Sequence, residues 1–385
     1  MACMTTPIWF DAHLDLACLA VEKRDMLADD PQAAGGPWQP GCVTLPSLQQ
    51  GNIRLALATI FTECDGDGPE GYPSGNIERA NAVGRAQLEV YRTWADDGHI
   101  AIDVPRVLRH DPGIGQTRGG MGVSEIQPPS VESLLAGAAH RAPLHIGILI
   151  ENADPIPHPD ELPWWVERGV VAIGLAWAKP SRYALGNAVD SSDDTGLTDL
   201  GRQMISAMDE LGVVADLSHI SPKGTDEILS MTDRPVIASH SNARGVYDNP
   251  HGRSLRDETI IEIARRSGVI GLNLCGAFLA NGPEGKRRVS ISESIDHVEY
   301  ICNLVGHRNA VMLGSDMDGG FGIAGLPLGI DHPSDLTLLT DELASRNWSD
   351  EDIAGFAHAN AVRFFANSEI AVKRTHAKPT GASTE

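Results

Sequence analysis

The chain has 385 residues, of which 42% are hydrophobic and 5% aromatic, enough to bury the core of one large α/β domain or two smaller ones. It carries 30 Lys and Arg residues against 52 Asp and Glu residues, for a formal net charge of -22. A surface this acidic repels phosphate backbones and anionic lipids, so we expect neither a nucleic acid nor a membrane surface as a partner.

Six cysteines are scattered along the chain without a Cys-x-x-Cys pair, which argues against a disulfide scaffold and against a zinc site built from cysteines. The N-terminus has no basic region followed by an apolar stretch, and no apolar run is long enough to span a bilayer. We therefore expect a reducing, cytoplasmic setting.

Eight short apolar runs recur along the chain, most of them separated by helical patterns. Their continuous Val, Ile, Leu and Ala content is typical of fully buried parallel strands. The predicted strands are Ile8–His13, Arg54–Phe61, Leu144–Ile150, Val170–Trp177, Val213–Leu217, Pro235–Ser239, Val269–Leu274 and Ala310–Gly314. The predicted helices are Asn76–Trp94, Leu200–Leu211, Ser254–Arg266 and Ser292–Leu304, with C-terminal stops at Gly212 and Gly268.

Strands that alternate with helices over this length predict a (β/α)8 TIM barrel. A doubly wound open sheet is the alternative, but its dinucleotide signature is missing, because "GIGQTRGG" has the wrong spacing and follows no strand. Two Gly/Pro-rich stretches, Thr62–Asn76 and Asp111–Pro129, are predicted loops. We expect one barrel domain over residues 1–366 and a polar, disordered tail over residues 367–385.

Polar residues follow five of the eight predicted strands, at the barrel end where active sites form. They are His13 with Asp15, Glu151, His219, His240, and Asp316 with Asp318 two residues on. Each has a structural alternative, because single histidines after strands are usually structural, and Glu151 or Asp316 can cap a following helix. His158 and Asp160 repeat the spacing of His13 and Asp15 but follow no strand, so we predict a loop without a ligand role.

Together these residues have the chemistry of a two-metal hydrolase. Imidazole and carboxylate groups bind Zn²⁺, and also Mn²⁺, Fe²⁺ or Co²⁺. Two such ions need a bridging group, and Glu151 lies in chain order between a His/Asp pair and a His/His pair. A shared water would have its pKa lowered to roughly 7. Asp316 is best placed to take the proton of that water and pass it to a leaving amine.

Five stretches carry a resemblance to a known family: "DAHLD", "LIEN", "ADLSHIS", "PVIASHSNAR" and "GSDMDGG". In this order and with these separations the chain resembles the membrane (renal) dipeptidases, zinc peptidase family M19, within the amidohydrolase-like barrels. The resemblance runs from about Ile8 to Phe365. It implies two zinc ions, a bridging hydroxide on which Asp316 acts, and the ligands His13 and Asp15 for one ion, His219 and His240 for the other, with Glu151 shared.

The resemblance also implies two residues that face the substrate. Arg253, in "NPHGRSLRDE", matches the family's arginine that binds the substrate carboxylate, and its alternative is a surface arginine at a helix start. Trp177 stands where the mammalian enzymes carry a histidine that stabilises the tetrahedral intermediate. Indole cannot carry charge, so Lys179, Arg182 or Tyr183 could replace that electrophile. We favour Trp177 as a packed wall of the pocket.

The function that the resemblance implies is a metal-dependent dipeptidase of the soluble bacterial type, with L-Xaa-D-Xaa dipeptides among its candidate substrates. The alternatives are a related amidohydrolase acting on an N-acyl amino acid, a lactam or another small amide, and a catalytically idle barrel that binds metal or peptide. Barrels of the hydantoinase and dihydroorotase type show His-x-His on strand one and a carboxylated Lys, and this chain has neither pattern there. Homodimerisation stays a hypothesis.

Overall fold

Eight parallel strands form a nearly closed barrel in the computed structural model, which describes residues 7–104, 143–249, 252–280 and 287–368. The (β/α)8 prediction is thereby confirmed. The barrel strands are β1 (Trp9–Leu14), β2 (Ile53–Ile60), β3 (Leu144–Ile150), β4 (Val170–Ile173), β5 (Val214–Ala215), β6 (Ile237–Ala238), β7 (Val269–Leu272) and β8 (Val311–Leu313).

The strands follow the order β5-β4-β3-β2-β1-β8-β7-β6, and two junctions in this ring are thin. β5 meets β6 through one bridge, Asp216 with Ile237, and β1 meets β8 through one pair, Asp11 with Leu313. Every other junction has two to six paired residues. We name these two the β5–β6 seam and the β1–β8 seam.

The strands form because their apolar side chains are buried on both faces of the sheet. Every residue of β1, β2 and β3 is buried, so each strand consists mostly of apolar residues. On β1, Phe10 stacks on Phe365 with ring centroids 5.5 Å apart, and Trp9 meets Phe356 edge-on at 6.1 Å. Burying each such ring contributes roughly 2–3 kcal/mol and holds the C-terminal helix against the first strand.

Twelve α-helices lie in the described part of the chain, most of them on the outside of the barrel. They are α1 (Leu16–Val21), α2 (Leu45–Gln50), α3 (Ile77–Asp96), α4 (Leu162–Val166), α5 (Asp199–Leu211), α6 (Pro222–Met231), α7 (Asp257–Arg265), α8 (Gly276–Leu279), α9 (Ile291–Val305), α10 (Thr337–Ser345), α11 (Asp350–Ala354) and α12 (Asn360–Asn367). The four predicted helices are α3, α5, α7 and α9. Among the described residues, no helix combines the length and hydrophobicity of a membrane span.

Side-chain caps explain where several of these helices begin. Thr198 accepts a hydrogen bond from the backbone of α5, and Ser290 forms a reciprocal capping box with Glu293 at the start of α9. Gly212 ends α5 in the left-handed conformation, as predicted. Such caps satisfy backbone groups that the first and last turns leave without helical partners.

Several predicted features differ from the structure. At the stop predicted at Gly268, α7 ends at Arg265, and the left-handed residue is Ser267, with φ of 58°, while Gly268 N donates to the Ile263 carbonyl at 2.9 Å. A Cβ on Gly268 would lie 2.2 Å from the Val236 carbonyl oxygen, so close packing also requires this glycine. The predicted loop Thr62–Asn76 contains a two-stranded sheet, Glu63–Cys64 with Gly71–Tyr72.

The strand β4 is shorter than predicted. It stops at Ile173 instead of Trp177, and a bend follows at Leu175. A further short strand, Ile100–Ile102, pairs with the start of β3. The predicted loop Asp111–Pro129 lies outside the described residues, as does the tail beyond residue 368. Asn367, the first residue of the predicted tail, is the last residue of α12.

Candidate active site

The polar residues predicted at the strand ends meet at one mouth of the barrel. His13 Nε2 lies 3.8 Å from Asp15 Oδ1, 3.6 Å from Glu151 Oε2 and 4.0 Å from Asp316 Oδ1. These residues come from the ends of β1, β3 and β8. Their convergence follows from the fold, because the carboxyl ends of parallel barrel strands lie on one face.

Two more histidines complete this group on the side of β5 and β6. His219 Nε2 lies 3.0 Å and His240 Nε2 3.6 Å from Glu151 Oε1. The two carboxylate oxygens of Glu151 therefore face different partners, Oε2 toward His13 and Oε1 toward the other two imidazoles. We name the whole set the strand-end cluster: His13, Asp15, Glu151, His219, His240 and Asp316.

The helix-cap alternatives for the carboxylates do not hold. Glu151 and Asp316 are each followed by turns, and Asp15, which precedes α1, makes no capping hydrogen bond. The Asp316 backbone instead adopts a left-handed conformation with φ of 57°. For a residue other than glycine this costs on the order of 1 kcal/mol and is most common at functional sites.

Burial sets the protonation of the cluster. All six side chains are buried, and burial raises the pKa of Asp15 to about 6. Burial, with Asp15 as a like-charged neighbour, also raises the pKa values of Glu151 and Asp316 well above the usual range. Burial lowers the pKa of His13 to about 3, with the nearby Arg253 charge as a second cause. The histidines are therefore neutral and carry lone pairs available for a cation.

The donor set fits a divalent metal. His13 Nε2 is buried and has no hydrogen-bond partner in the part of the chain that the structure describes, although an imidazole nitrogen inside a protein normally has one. Two groups of three residues could each hold a metal ion, because the potential ligand atoms within a group all lie within 4.8 Å of one another. One group is His13, Glu151 and His240, and the other is His13, Asp15 and Asp316. A divalent cation would compensate the crowded carboxylates and satisfy the unpartnered nitrogen.

Several buried polar groups form hydrogen bonds to the strand-end cluster or to residues next to it in the chain. The sequence-based reasoning missed these groups. Asp216 accepts hydrogen bonds from Ser218 and Ser239, which precede His219 and His240. Asn273 Nδ2 donates to Asp316 Oδ2 at 2.9 Å. A charged residue inside an apolar strand pattern, such as Asp11 or Asp216, is the sequence signal that could have indicated these buried polar groups.

Arg253 belongs to the same mouth and is buried, so the surface-arginine alternative is wrong. Its guanidinium donates to the Ser218 carbonyl at 2.5 Å, to Ser241 Oγ at 2.8 Å and to the His240 carbonyl at 2.8 Å. It also lies 3.1 Å from His219 Nε2. Its buried Nε has no hydrogen-bond partner among the described residues. A permanent positive charge with a free donor is therefore held beside the cluster.

Trp177 lines the same mouth and is half-buried. Its ring centroid lies 5.9 Å from that of His219, and it meets Phe61 in an edge-to-face contact at 5.3 Å. These contacts agree with the interpretation of Trp177 as an aromatic wall of the pocket.

The three neighbours considered as replacement electrophiles make contacts elsewhere. Lys179 Nζ pairs with Glu63 Oε1 at 2.7 Å. The Arg182 guanidinium and the Tyr183 hydroxyl donate to backbone carbonyls of residues 156–157. The hypothesis that one of them supplies charge to the cluster therefore receives no support from the structure.

Two further sets of polar residues considered from the sequence lie outside the cluster. His158 and Asp160, which follow no strand, are exposed and contact each other at 3.2 Å. Asp318 is turned away from Asp316 and forms a buried ion pair with Arg24, while also accepting from the backbone amide of Cys42 at 2.9 Å.

Comparisons with known proteins agree with this geometry. The membrane dipeptidase family, peptidase family M19, matches residues 133–379. An uncharacterized dipeptidase of Schizosaccharomyces pombe is 32% identical over 193 residues, which are 50% of this chain and 45% of that protein. The chain thus spans less than half the length of this relative. Dipeptidase aclJ of Aspergillus oryzae is 29% identical over 333 residues, covering 86% of this chain and 70% of that protein.

A solved structure shows the same fold. The metallopeptidase of Rhodobacter sphaeroides, liganded with a phosphinate mimic of the dipeptide L-Ala-D-Ala, superposes with a TM-score of 0.74 at 20% identity, covering 94% of this chain and 100% of that one. The family match alone covers more than half of the chain. The protein therefore belongs to the membrane dipeptidase family of metallopeptidases.

Proposed function

We propose that this protein is a binuclear metal-dependent dipeptidase, which hydrolyses the peptide bond of small dipeptides. The observation that carries the proposal is the orientation of Glu151. Its two oxygens face two different groups of buried ligands, at the barrel mouth of a chain that belongs to a dipeptidase family. A carboxylate in this position is suited to bridging two cations.

The proposed metals are two divalent ions, most simply zinc, which accepts neutral imidazole and carboxylate ligands. His13 and Asp15 would hold one ion, His219 and His240 the other, and Glu151 both. The family match begins at residue 133, so His13 and Asp15 are supported by their distances within the cluster. When bound, such ions activate a water molecule and polarise the scissile carbonyl.

Asp316 is the proposed proton carrier. Its Oδ1 faces the cluster, 4.0 Å from His13 Nε2, while its Oδ2 is held by Asn273. A buried carboxylate whose pKa is raised is a stronger base than one in water, so Asp316 is suited to take a proton from the attacking water and to deliver it to the leaving amine.

Arg253 and Trp177 are the proposed substrate contacts. The unpartnered Nε–H of Arg253 and its fixed charge suit the C-terminal carboxylate of a dipeptide. Trp177 and Phe61 would form an apolar wall that excludes water from the reacting carbonyl. The Rhodobacter sphaeroides relative was solved with an L-Ala-D-Ala mimic, which makes L-Xaa-D-Xaa dipeptides the first substrates to test.

A panel of L-L and L-D dipeptides, given to zinc-reconstituted wild type and Asp316→Asn, tests this proposal. We expect turnover by the wild type and a loss of about 10²–10⁴-fold in Asp316→Asn, with the zinc content unchanged, because only the proton carrier is removed. Absence of bound zinc in the wild type would contradict the metal centre. Two bound zinc ions without turnover of any dipeptide would contradict the substrate class.

That last outcome would favour the second candidate, a related amidohydrolase acting on an N-acyl amino acid or another small amide. One observation supports keeping it. Trp177 cannot carry charge, and Lys179, Arg182 and Tyr183 are all engaged elsewhere. Assay of N-acyl amino acids beside the dipeptides separates the two candidates.

A cytoplasmic location is also proposed. Its support is the acidic composition and the state of the five described cysteines, none of which forms a disulfide. Fractionation of the native host, followed by immunodetection, tests it. Recovery of the protein outside the cytoplasm would contradict the proposal.

A further inference from the structure

The hydroxyl of Ser239 lies between ligands of the two proposed metal positions. Its Oγ is 2.7 Å from His240 Nδ1 and 3.4 Å from His13 Nδ1, and it lies 2.5 Å from Asp216 Oδ2. A serine hydroxyl has one proton, and an ionised carboxylate can only accept. The proton therefore goes to Asp216, so His240 donates its Nδ1–H to Ser239. The lone pair of His240 Nε2 then faces His219 Nε2 at 3.0 Å and Glu151 Oε1 at 3.6 Å.

We propose that Asp216 and Ser239 form a hydrogen-bond relay that sets the tautomer of His240, and through the longer contact that of His13. Both are positioning residues for the metal centre, and the inference rests on the proposed function to that extent. Partners of this kind commonly fix the ring orientation of a metal-binding histidine. In this chain a serine is interposed, which lets one carboxylate serve two rings.

The direction of the hydrogen bonds in the relay depends on the other carboxylate oxygen of Asp216, Oδ1. Oδ1 accepts from Ser218 N at 3.2 Å, from Ser218 Oγ at 2.8 Å and from Ser239 N at 2.8 Å. An asparagine at position 216 would keep its carbonyl toward these three donors. Its NH₂ would then face Ser239 and donate to it, so that Ser239 would donate to His240 Nδ1. His240 would carry its proton on Nε2, where a metal binds.

The competing explanation is that Asp216 only closes the β5–β6 seam, where the backbone supplies a single bridge. The chain offers matched controls for it. Ser218 binds the same Asp216 oxygen as the Ser239 amide and lies 3.1 Å from Ser239 Oγ, but it contacts His240 through the backbone amide of His240, at 3.2 Å, and not through the imidazole ring. Asp11 closes the β1–β8 seam by accepting from Ser315 N at 2.8 Å and from Ser315 Oγ, likewise without contacting a ring.

Zinc affinity, measured by competition with a chromophoric chelator, tests the relay in the full chain. We expect Asp216→Asn to weaken zinc binding about 10–100-fold, and Ser239→Ala to weaken it less. The double variant, Asp216→Asn with Ser239→Ala, should bind zinc no more weakly than Ser239→Ala alone. Without the Ser239 hydroxyl, the amide at position 216 cannot change the tautomer of His240. Asp11→Asn should stay within about threefold of the wild type, and Ser218→Ala should weaken zinc binding less than Ser239→Ala, since neither side chain contacts a ring.

Long-range ¹H–¹⁵N correlation of [¹⁵N]histidine-labelled, zinc-free protein reads the tautomer directly. The His240 signal should change from Nδ1–H to Nε2–H in Asp216→Asn and stay Nδ1–H in Ser218→Ala.

Additive losses of zinc affinity in the double variant, or equal losses in Ser218→Ala and Ser239→Ala, would overturn the relay. If the wild type binds zinc and Asp216→Asn binds it with the same affinity, the relay alone is overturned. If the wild type binds no zinc, the proposed metal centre is overturned as well. If Asp216→Asn does not fold, the two serine variants carry the same comparison.

Discussion

The two seams of the barrel use the same side-chain device for different ends. At the β1–β8 seam, Asp11 accepts hydrogen bonds from the backbone and hydroxyl of Ser315. At the β5–β6 seam, Asp216 does the same with Ser239. Both junctions have one backbone pair, so a buried carboxylate replaces the missing ladder hydrogen bonds in each.

The difference lies in what the serine touches next. Ser239 contacts the rings of His240 and His13, whereas Ser315 contacts no ring and only precedes Asp316 in the chain. The proposed relay therefore depends on the contact of Ser239 with the two imidazole rings, and not on the position of the serine directly before a cluster residue. This comparison separates stability from chemistry, and each prediction below tests one side of it.

The largest expected effect is on stability and is common to both seams. Asp11→Ala and Asp216→Ala each leave several buried donors without an acceptor, so the free energy of unfolding should fall by about 3–5 kcal/mol in either variant. Urea denaturation of zinc-free protein, monitored by circular dichroism, measures both. A loss confined to Asp216→Ala would show that the β1–β8 seam does not depend on its carboxylate.

A second prediction compares a seam carboxylate with a cluster carboxylate. Burial raises the pKa of Asp15 from 3.8 to about 6, so the unfolded chain gives up this proton at a lower pH than the folded one. Without metal, the folded protein should therefore lose stability as pH rises from about 4 to about 6. Asp15→Asn has no such proton to lose, and its amide oxygen can still accept from Thr59.

Thermal unfolding of zinc-free wild type and Asp15→Asn between pH 4.5 and pH 8 measures this difference. The variant should gain on the order of 2 kcal/mol over the wild type at pH 8 and much less at pH 4.5. Contributions from the buried histidines are common to both proteins, and loss of the Asp15 charge also relieves Glu151 and Asp316 at pH 8, which acts in the same direction. Burial raises the pKa of Asp11 to about 6 as well, so Asp11→Asn should show a similar dependence on pH, together with a loss of stability at both pH values, because its amide places a donor against the Ser315 hydroxyl. An advantage of Asp15→Asn that does not depend on pH would contradict the argument.

The smallest expected effect is on kcat and concerns Asn273, which contacts Asp316. Asn273 donates to Asp316 Oδ2, and its own backbone is held by the side chain of Asn242. Asn273→Ala should lower kcat about tenfold with the zinc content unchanged, since only the orientation of the proton carrier is lost. In an Asp316→Asn background the same change should have little further effect, and additive losses would place the role of Asn273 elsewhere.

Much of the site was predictable from the sequence because chain order and spacing already contain the necessary information. An apolar run that ends in His13 or Glu151 identifies both a buried strand and a polar group at its end. The assignment of Arg253 came from the family resemblance, since an arginine in a loop has no comparable local signal. The roles considered for Lys179, Arg182 and Tyr183 received no support, because their partners come from segments more than 20 residues away.

By itself, the sequence determined the alternation of strands and helices, the barrel and the residues able to bind metal, because each depends on local periodicity and on residue type at a strand end. Only the tertiary structure decided that β5 meets β6 through one bridge, that Glu151 faces two ligand groups, and that Ser239 lies between His13 and His240. These contacts join residues up to 226 positions apart. Hydrogen bonds across such separations depend on ring closure of the barrel, which no short stretch of sequence encodes.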